Sequence, residues 1–121
     1  MYYHFNNNYE DVEIGNLRLP FRWRKNVILN YVEKLTKPEQ LEIYDTREEI
    51  RKNGLDAFEK LNTRQLRGKL WEIKVSQNRI MYVIMNQDGV AFLHICKKQK
   101  GKAEKQDIEK ALSRAKKEGL L

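Results

Sequence analysis

Apolar residues recur along this chain with two different periods. Trp23, Val27, Tyr31 and Leu35 fall at steps of four, with Ile28 and Val32 beside them, which predicts an amphipathic helix from Phe21 to Leu35 with Pro20 in its first turn. Pro38 lies just past that stripe, so the helix breaks at Thr36-Lys37 and a second begins with Thr36 or Lys37 as its cap. Leu41, Tyr44, Glu48 and Ile50 carry this weaker, very polar helix to a stop at Asn53-Gly54. From Leu70 the period becomes two. Trp71, Ile73 and Val75 share one face of a strand and Glu72 and Lys74 the other. Ser76-Gln77-Asn78 is a turn into a second strand over Arg79–Met85, and Asn86-Gln87-Asp88-Gly89 is a hairpin turn into a third over Val90–Cys96. Beyond Gly101, Ile108, Ala111, Leu112 and Ala115 mark a last amphipathic helix that stops at Gly119. Before all of this, Met1–Phe5 reads as a short edge strand, Asn6–Asn8 as a turn and Val12–Ile14 as an extended piece able to pair with it.

The order predicts an α+β fold: an N-terminal strand and a helical hairpin packed on a three-stranded antiparallel meander, then a C-terminal helix, with the helices gathered on one face of the sheet. No internal repeat or low-complexity linker divides the chain, and its 121 residues suit one domain spanning 1–121. The single cysteine, Cys96, excludes an intramolecular disulfide and a cysteine-rich zinc cluster. Without an apolar run of about 18 residues or a signal-peptide core, the sequence reads as a soluble cytoplasmic protein that engages no membrane.

Charge changes this picture more than composition does. Residues 1–63 hold 10 Lys+Arg against 11 Asp+Glu, whereas residues 64–121 hold 14 against 6, so the net charge of +7 belongs to the second half. Such asymmetry points to nucleic acid or an acidic protein partner. A solvated helix face accounts for the lysines beyond about residue 100, but not for Arg64, Arg67, Lys69, Lys74 and Arg79, which lie among apolar residues.

Phosphate loops, His-Glu-x-x-His, Cys-x-x-Cys and Gly-x-Ser-x-Gly are all missing. What remains is a polar row on an apolar sheet: Arg67, Lys69, Glu72 and Lys74 leading into and along one strand, Arg79 at the start of the next, His94, Lys97 and Lys98 at the end of the third. Cleaving RNA without a metal needs that mixture, because the 2′-hydroxyl must lose a proton, the leaving 5′-oxygen must gain one, and cations must hold the growing phosphate charge. Glu72 or His94 serves as base; Arg79, with Lys74 or Lys98, serves as phosphate clamp. Arg64, Arg67, Lys69, Lys97, Lys100 and Lys102 extend the surface for RNA. The plainer readings are a surface salt bridge at Glu72, a structural histidine at His94 and a charged strand end at Lys97-Lys98. Arg79 resists such a reading, since a cation at the mouth of a buried strand needs an anion.

The segment Leu66-Arg67-Gly68-Lys69-Leu70-Trp71-Glu72-Ile73-Lys74, followed by Arg79-Ile80-Met81-Tyr82-Val83, Phe92-Leu93-His94, Lys97-Lys98-Gln99-Lys100 and Ala111-Leu112-Ser113-Arg114, resembles the RelE/ParE superfamily of toxins, and within it the HigB-like, phage-associated branch. The resemblance spans about residues 60–115. It implies a RelE-like fold and a type II toxin that cleaves translated messenger RNA on the ribosome, without metal or cofactor, silenced by a HigA-like helix-turn-helix antitoxin. Carried over by position, it makes Arg79 the phosphate-contacting arginine, Lys74 and Lys98 the accompanying cations, and Glu72 the base. His94-Ile95-Cys96-Lys97-Lys98 is one residue shorter than the family's His-x-Phe-x-Lys-Lys, which turns His94 to the face opposite the lysines. Lys74 replaces the family's more usual arginine. Two alternatives share the fold: a ParE-like inhibitor of DNA gyrase, and a non-catalytic phage homologue that only binds its partner.

Overall fold

The computed structural model describes residues 9–12, 21–85 and 89–121. Strands β1 (Tyr9–Val12) and β2 (Phe21–Arg24) come first, followed by helices α1 (Lys25–Glu33) and α2 (Lys37–Asn53), a 3₁₀ turn at Gly54–Asp56 and the short helix α3 (Ala57–Lys60). Four strands follow: β3 (Thr63–Arg67), β4 (Leu70–Val75), β5 (Asn78–Ile84) and β6 (Val90–Lys97). Helix α4 (Gly101–Lys117) closes the chain. The expected strand at Met1–Phe5, the turn at Asn6–Asn8 and Pro20 lie outside the described residues.

The meander is present at the expected places, and β3 extends it. β3–β4–β5–β6 form four antiparallel strands, and β2 adds to β6 in parallel, giving the order β1-β2-β6-β5-β4-β3. Two expectations are corrected here. The first turn of the predicted helix, Phe21–Arg24, is a strand: Phe-Arg-Trp-Arg alternates with period two, and pairing with Val90–Phe92 gives the open edge of β6 a partner. The missed strand β3 is short and polar, so it carries no hydrophobic signal. It is instead set by a two-residue turn in which Gly68 takes φ +56°, a conformation that suits glycine.

The helices lie on both faces, not one. Ile28 and Val32 of α1, Ile43 and Ile50 of α2, and Ala57 bury against Ile73, Val75, Ile80, Tyr82 and Phe92. On the opposite face Ile108, Ala111 and Ala115 of α4 bury against Leu70, Met81, Val83 and Leu93. β5 is apolar on both sides, as a strand covered twice must be. The hairpin joint forms as read: Thr36 caps α2 by accepting from the Glu39 N–H, and Gly54 ends the helix with its N–H on the Ile50 carbonyl. The apolar face of α2 differs from the expected one. Ile43, Thr46 and Ile50 face the core, while Leu41 and Tyr44 are exposed.

A polar network fixes α2 to the sheet. Tyr31 donates to Asn78 Oδ1 at 2.6 Å, and Asn78 Nδ2 donates to Glu39 Oε2 at 2.9 Å, the oxygen that also takes Lys97 Nζ at 2.9 Å. Those bonds hold the Glu39 carboxyl down at a pKa of about 2, led by the one from Lys97.

Candidate functional site

Alternation along β4 sends Ile73 and Val75 into the helical-hairpin core and Glu72 and Lys74 to the face that α4 covers. α4 protects that face over Leu70, Met81 and Val83 but only begins at Gly101, so the strand ends around Lys74 and Arg79 open into a cleft at its first turns. Antiparallel register assembles the walls: Arg64 opposite Glu72, Lys74 opposite Arg79, and Arg79 opposite Cys96. Lys97, Lys98, Lys100, Glu104 and Asp107 join the lining. The cleft measures about 190 Å³. That is below the roughly 300–1,000 Å³ of pockets that enclose a small molecule, so it suits one linkage of a chain lying across it. Six cations (Arg64, Lys74, Arg79, Lys97, Lys98, Lys100) stand against three acids (Glu72, Glu104, Asp107), which makes it a site for an anion.

Glu72 is the centre of this arrangement. It is 2% exposed. Arg64 Nε approaches its Oε2 to 2.9 Å without the alignment of a hydrogen bond, Arg79 Nε stands 4.0 Å away, and Oε2 has no hydrogen-bond donor among the described residues. Arg64 also reaches Glu104 at 3.4 Å, bridging the mouth. Arg79 is largely buried and spends Nη1 on the carbonyls of Ser76 and Asn78, at 3.0 and 2.9 Å. Its Nη2 amino group is left for a ligand.

The expected site residues divide. Glu72, Lys74, Arg79 and Lys98 line the cleft together, joined by Arg64 and Lys100. Lys97 contributes to the lining, but its ammonium points to Glu39 on α2. Arg67 and Lys69 sit toward the other end of the β3–β4 hairpin, about 10 Å of strand from Arg64 and Glu72, and Lys69 lines a separate hollow with Gly119 and Leu120. Lys102 is exposed on α4, outside the lining.

His94 needs a correction. A β-bulge lets Met81 face His94 while Tyr82 faces Phe92, so Leu93 is an extra residue in β6. The bulge precedes His94 and turns it to the α4 face, the same as Glu72, while the regular register beyond it sends Lys97 to the opposite face. His94 itself is buried behind the cleft. Arg114 donates to Nδ1 at 2.8 Å and to the Leu93 carbonyl at 3.1 Å, so Nε2 carries the ring proton and donates it to Asp107 Oδ1 at 2.8 Å. Burial lowers the His94 pKa and keeps the ring neutral.

His94, Cys96 and Asp107 bring ligand atoms within 4.8 Å of one another, an N/S/O set that zinc accepts. The arrangement does not fit a metal. A metal on Nε2 requires the proton on Nδ1, where the Arg114 N–H already points. Burial also raises the Cys96 thiol to about 12, far from a thiolate ligand or nucleophile. Asp107 and Glu104 escaped the reading of the sequence. The available signal was a carboxylate on the apolar stripe of α4, one position before Ile108 and four before Ala111.

A family profile described as Phage derived protein Gp49-like (DUF891) matches residues 30–116. The chain belongs to this family. The family is related to the RelE toxins of toxin–antitoxin systems. The match of this Gp49-like chain runs from α1 into α4 and covers every residue of the cleft. No curated protein matches the chain. Among the described residues no helix is long and apolar enough to cross a membrane.

Proposed function

We propose that this protein is a HigB-like toxin of a type II toxin–antitoxin system and cleaves translated messenger RNA on the ribosome as a metal-independent endoribonuclease. The observation that carries this reading is the buried Glu72 carboxylate, its Oε2 without a donor among the described residues, between two guanidinium groups in a cation-lined cleft. A ribose 2′-hydroxyl presented there gives its proton to Glu72 as its oxygen bonds to phosphorus. The P–O5′ bond breaks, and the leaving oxygen takes a proton from the ammonium of Lys74 or Lys98. Arg79 Nη2 and the remaining lysine hold the phosphate charge, an effect that needs donors fixed in advance. The first turn of α4 adds to this, since Lys100 takes the N-cap without a side-chain bond and leaves the first amide groups at the cleft. The partner is a HigA-like helix-turn-helix antitoxin; no cofactor takes part.

The test is induction in cells followed by mapping of messenger RNA 5′ ends. Cuts confined to translated regions, lost in Arg79→Ala, support the nuclease. Arrest of DNA replication ahead of translation points to gyrase inhibition, and neither arrest nor cuts points to a homologue that only binds.

A further inference from the structure

Asp107 is a puzzle in a cleft built for an anion. Its side chain is 13% exposed, it lines the cleft, and its charge opposes a phosphate. It is nevertheless held with care. His94 Nε2–H donates to its Oδ1, and the direction of that bond is fixed because Arg114 occupies Nδ1. Arg114 is itself fixed by the Leu93 carbonyl. A carboxylate offers about four acceptor positions, so the His94 bond leaves acceptor capacity at the cleft. What an acceptor-only group can meet there is a ligand's hydroxyl. RNA carries one beside each phosphate, and DNA does not.

We propose that Asp107 is the sugar-reading residue of the cleft, accepting a hydrogen bond from a ribose 2′-hydroxyl and so selecting RNA over DNA, with His94 as the residue that positions it. This rests on the reading that RNA occupies the cleft, though not on its being cut there. It also gives the buried His94–Arg114 pair a function through Asp107 without contact to substrate.

Binding of a short single-stranded RNA and of the DNA of the same sequence, measured by fluorescence anisotropy at one salt concentration, tests it. The wild-type chain binds the RNA about tenfold more tightly, the worth of one hydrogen bond to a charged acceptor. In Asp107→Asn, His94 still claims the carbonyl oxygen and the amide NH₂ faces the cleft, so the RNA advantage falls to within about twofold while DNA binds no worse. His94→Ala keeps the carboxylate but frees it to turn, and the advantage drops by several-fold, about half-way on a logarithmic scale. A measurement that needs no variant is the NMR signal of the His94 Nε2 proton, which moves on addition of the RNA and stays in place with the DNA. Equal affinity of the wild type for both strands, an unchanged ratio in a folded Asp107→Asn, or a His94 signal indifferent to RNA overturns the proposal. RNA selectivity without cuts in ribosome-bound messenger RNA overturns the nuclease and leaves the sugar reader standing.

Discussion

Arg64, half-exposed on the edge strand β3, holds its Nε 2.9 Å from Oε2 of the buried Glu72 on β4. The pair joins a residue that solvent can reach to one that it cannot, so the two sides of it respond differently to substitution. Arg64→Ala leaves the Glu72 charge with only the Arg79 Nε at 4.0 Å. A loss of about 1–2 kcal/mol in unfolding free energy follows, less than for a fully buried pair because water enters where Arg64 stood. Urea denaturation with an unchanged slope measures it.

Glu72→Gln keeps the shape and removes the proposed base. Cleavage slows by about 10²–10⁴-fold. His94→Gln, which alters a residue behind the cleft and leaves Glu72 in place, costs much less. Single-turnover cleavage on programmed ribosomes ranks the two, and the opposite ranking removes Glu72 from the base role.

Arg79→Ala abolishes growth arrest. The guanidinium anchors to the Ser76 and Asn78 carbonyls at the β4–β5 turn and stands 4.0 Å from Glu72, with no part in the apolar core, so the variant remains folded. Its loss takes about 3 kcal/mol from the transition state, some two orders of magnitude in rate. Full toxicity of a soluble Arg79→Ala protein contradicts the clamp.

Two pH windows of stability lie apart. Burial lowers the His94 pKa below its usual 6.5, so the unfolded chain binds more protons and stability falls as pH drops below about 6.5. Glu39, held at about 2 against 4.5, contributes stability that is present above 4.5 and is lost as pH falls toward 2. Melting temperature followed from pH 8 to pH 2 shows both declines. His94→Gln flattens the upper one and Glu39→Gln the lower.

Co-expression with the proposed HigA-like antitoxin gives a complex that weakens with salt, since attraction between an acidic partner and the +8 half of the chain is screened over about 8–10 Å. Elution at rising ionic strength measures it. A complex indifferent to salt places the antitoxin on another surface.

Much of the fold was legible because its signals are local. The three apolar strands, the Thr36 cap and the Gly54 and Gly119 stops depend on period and turn chemistry within a few residues. What escaped depends on partners distant in the chain. Phe21–Arg24 takes its strand from β6, β3 takes its strand from β4, and the turn of His94 comes from a bulge that spacing alone cannot show. Of the candidate site, Glu72, Lys74, Arg79 and Lys98 followed from alternation and resemblance. Asp107 did not, because its meaning lies in a histidine on another element.

The parallel pairing of β2 with β6 sets an order of events during synthesis. Phe21 is made well before its partner Val90, and the cleft closes only when α4 brings Asp107 and Arg114 to His94. At about 5–20 residues per second, most of the chain is made before any of these groups can meet. The cleft therefore cannot exist until synthesis has run from β2 through α4, since no shorter stretch holds all the groups that build it.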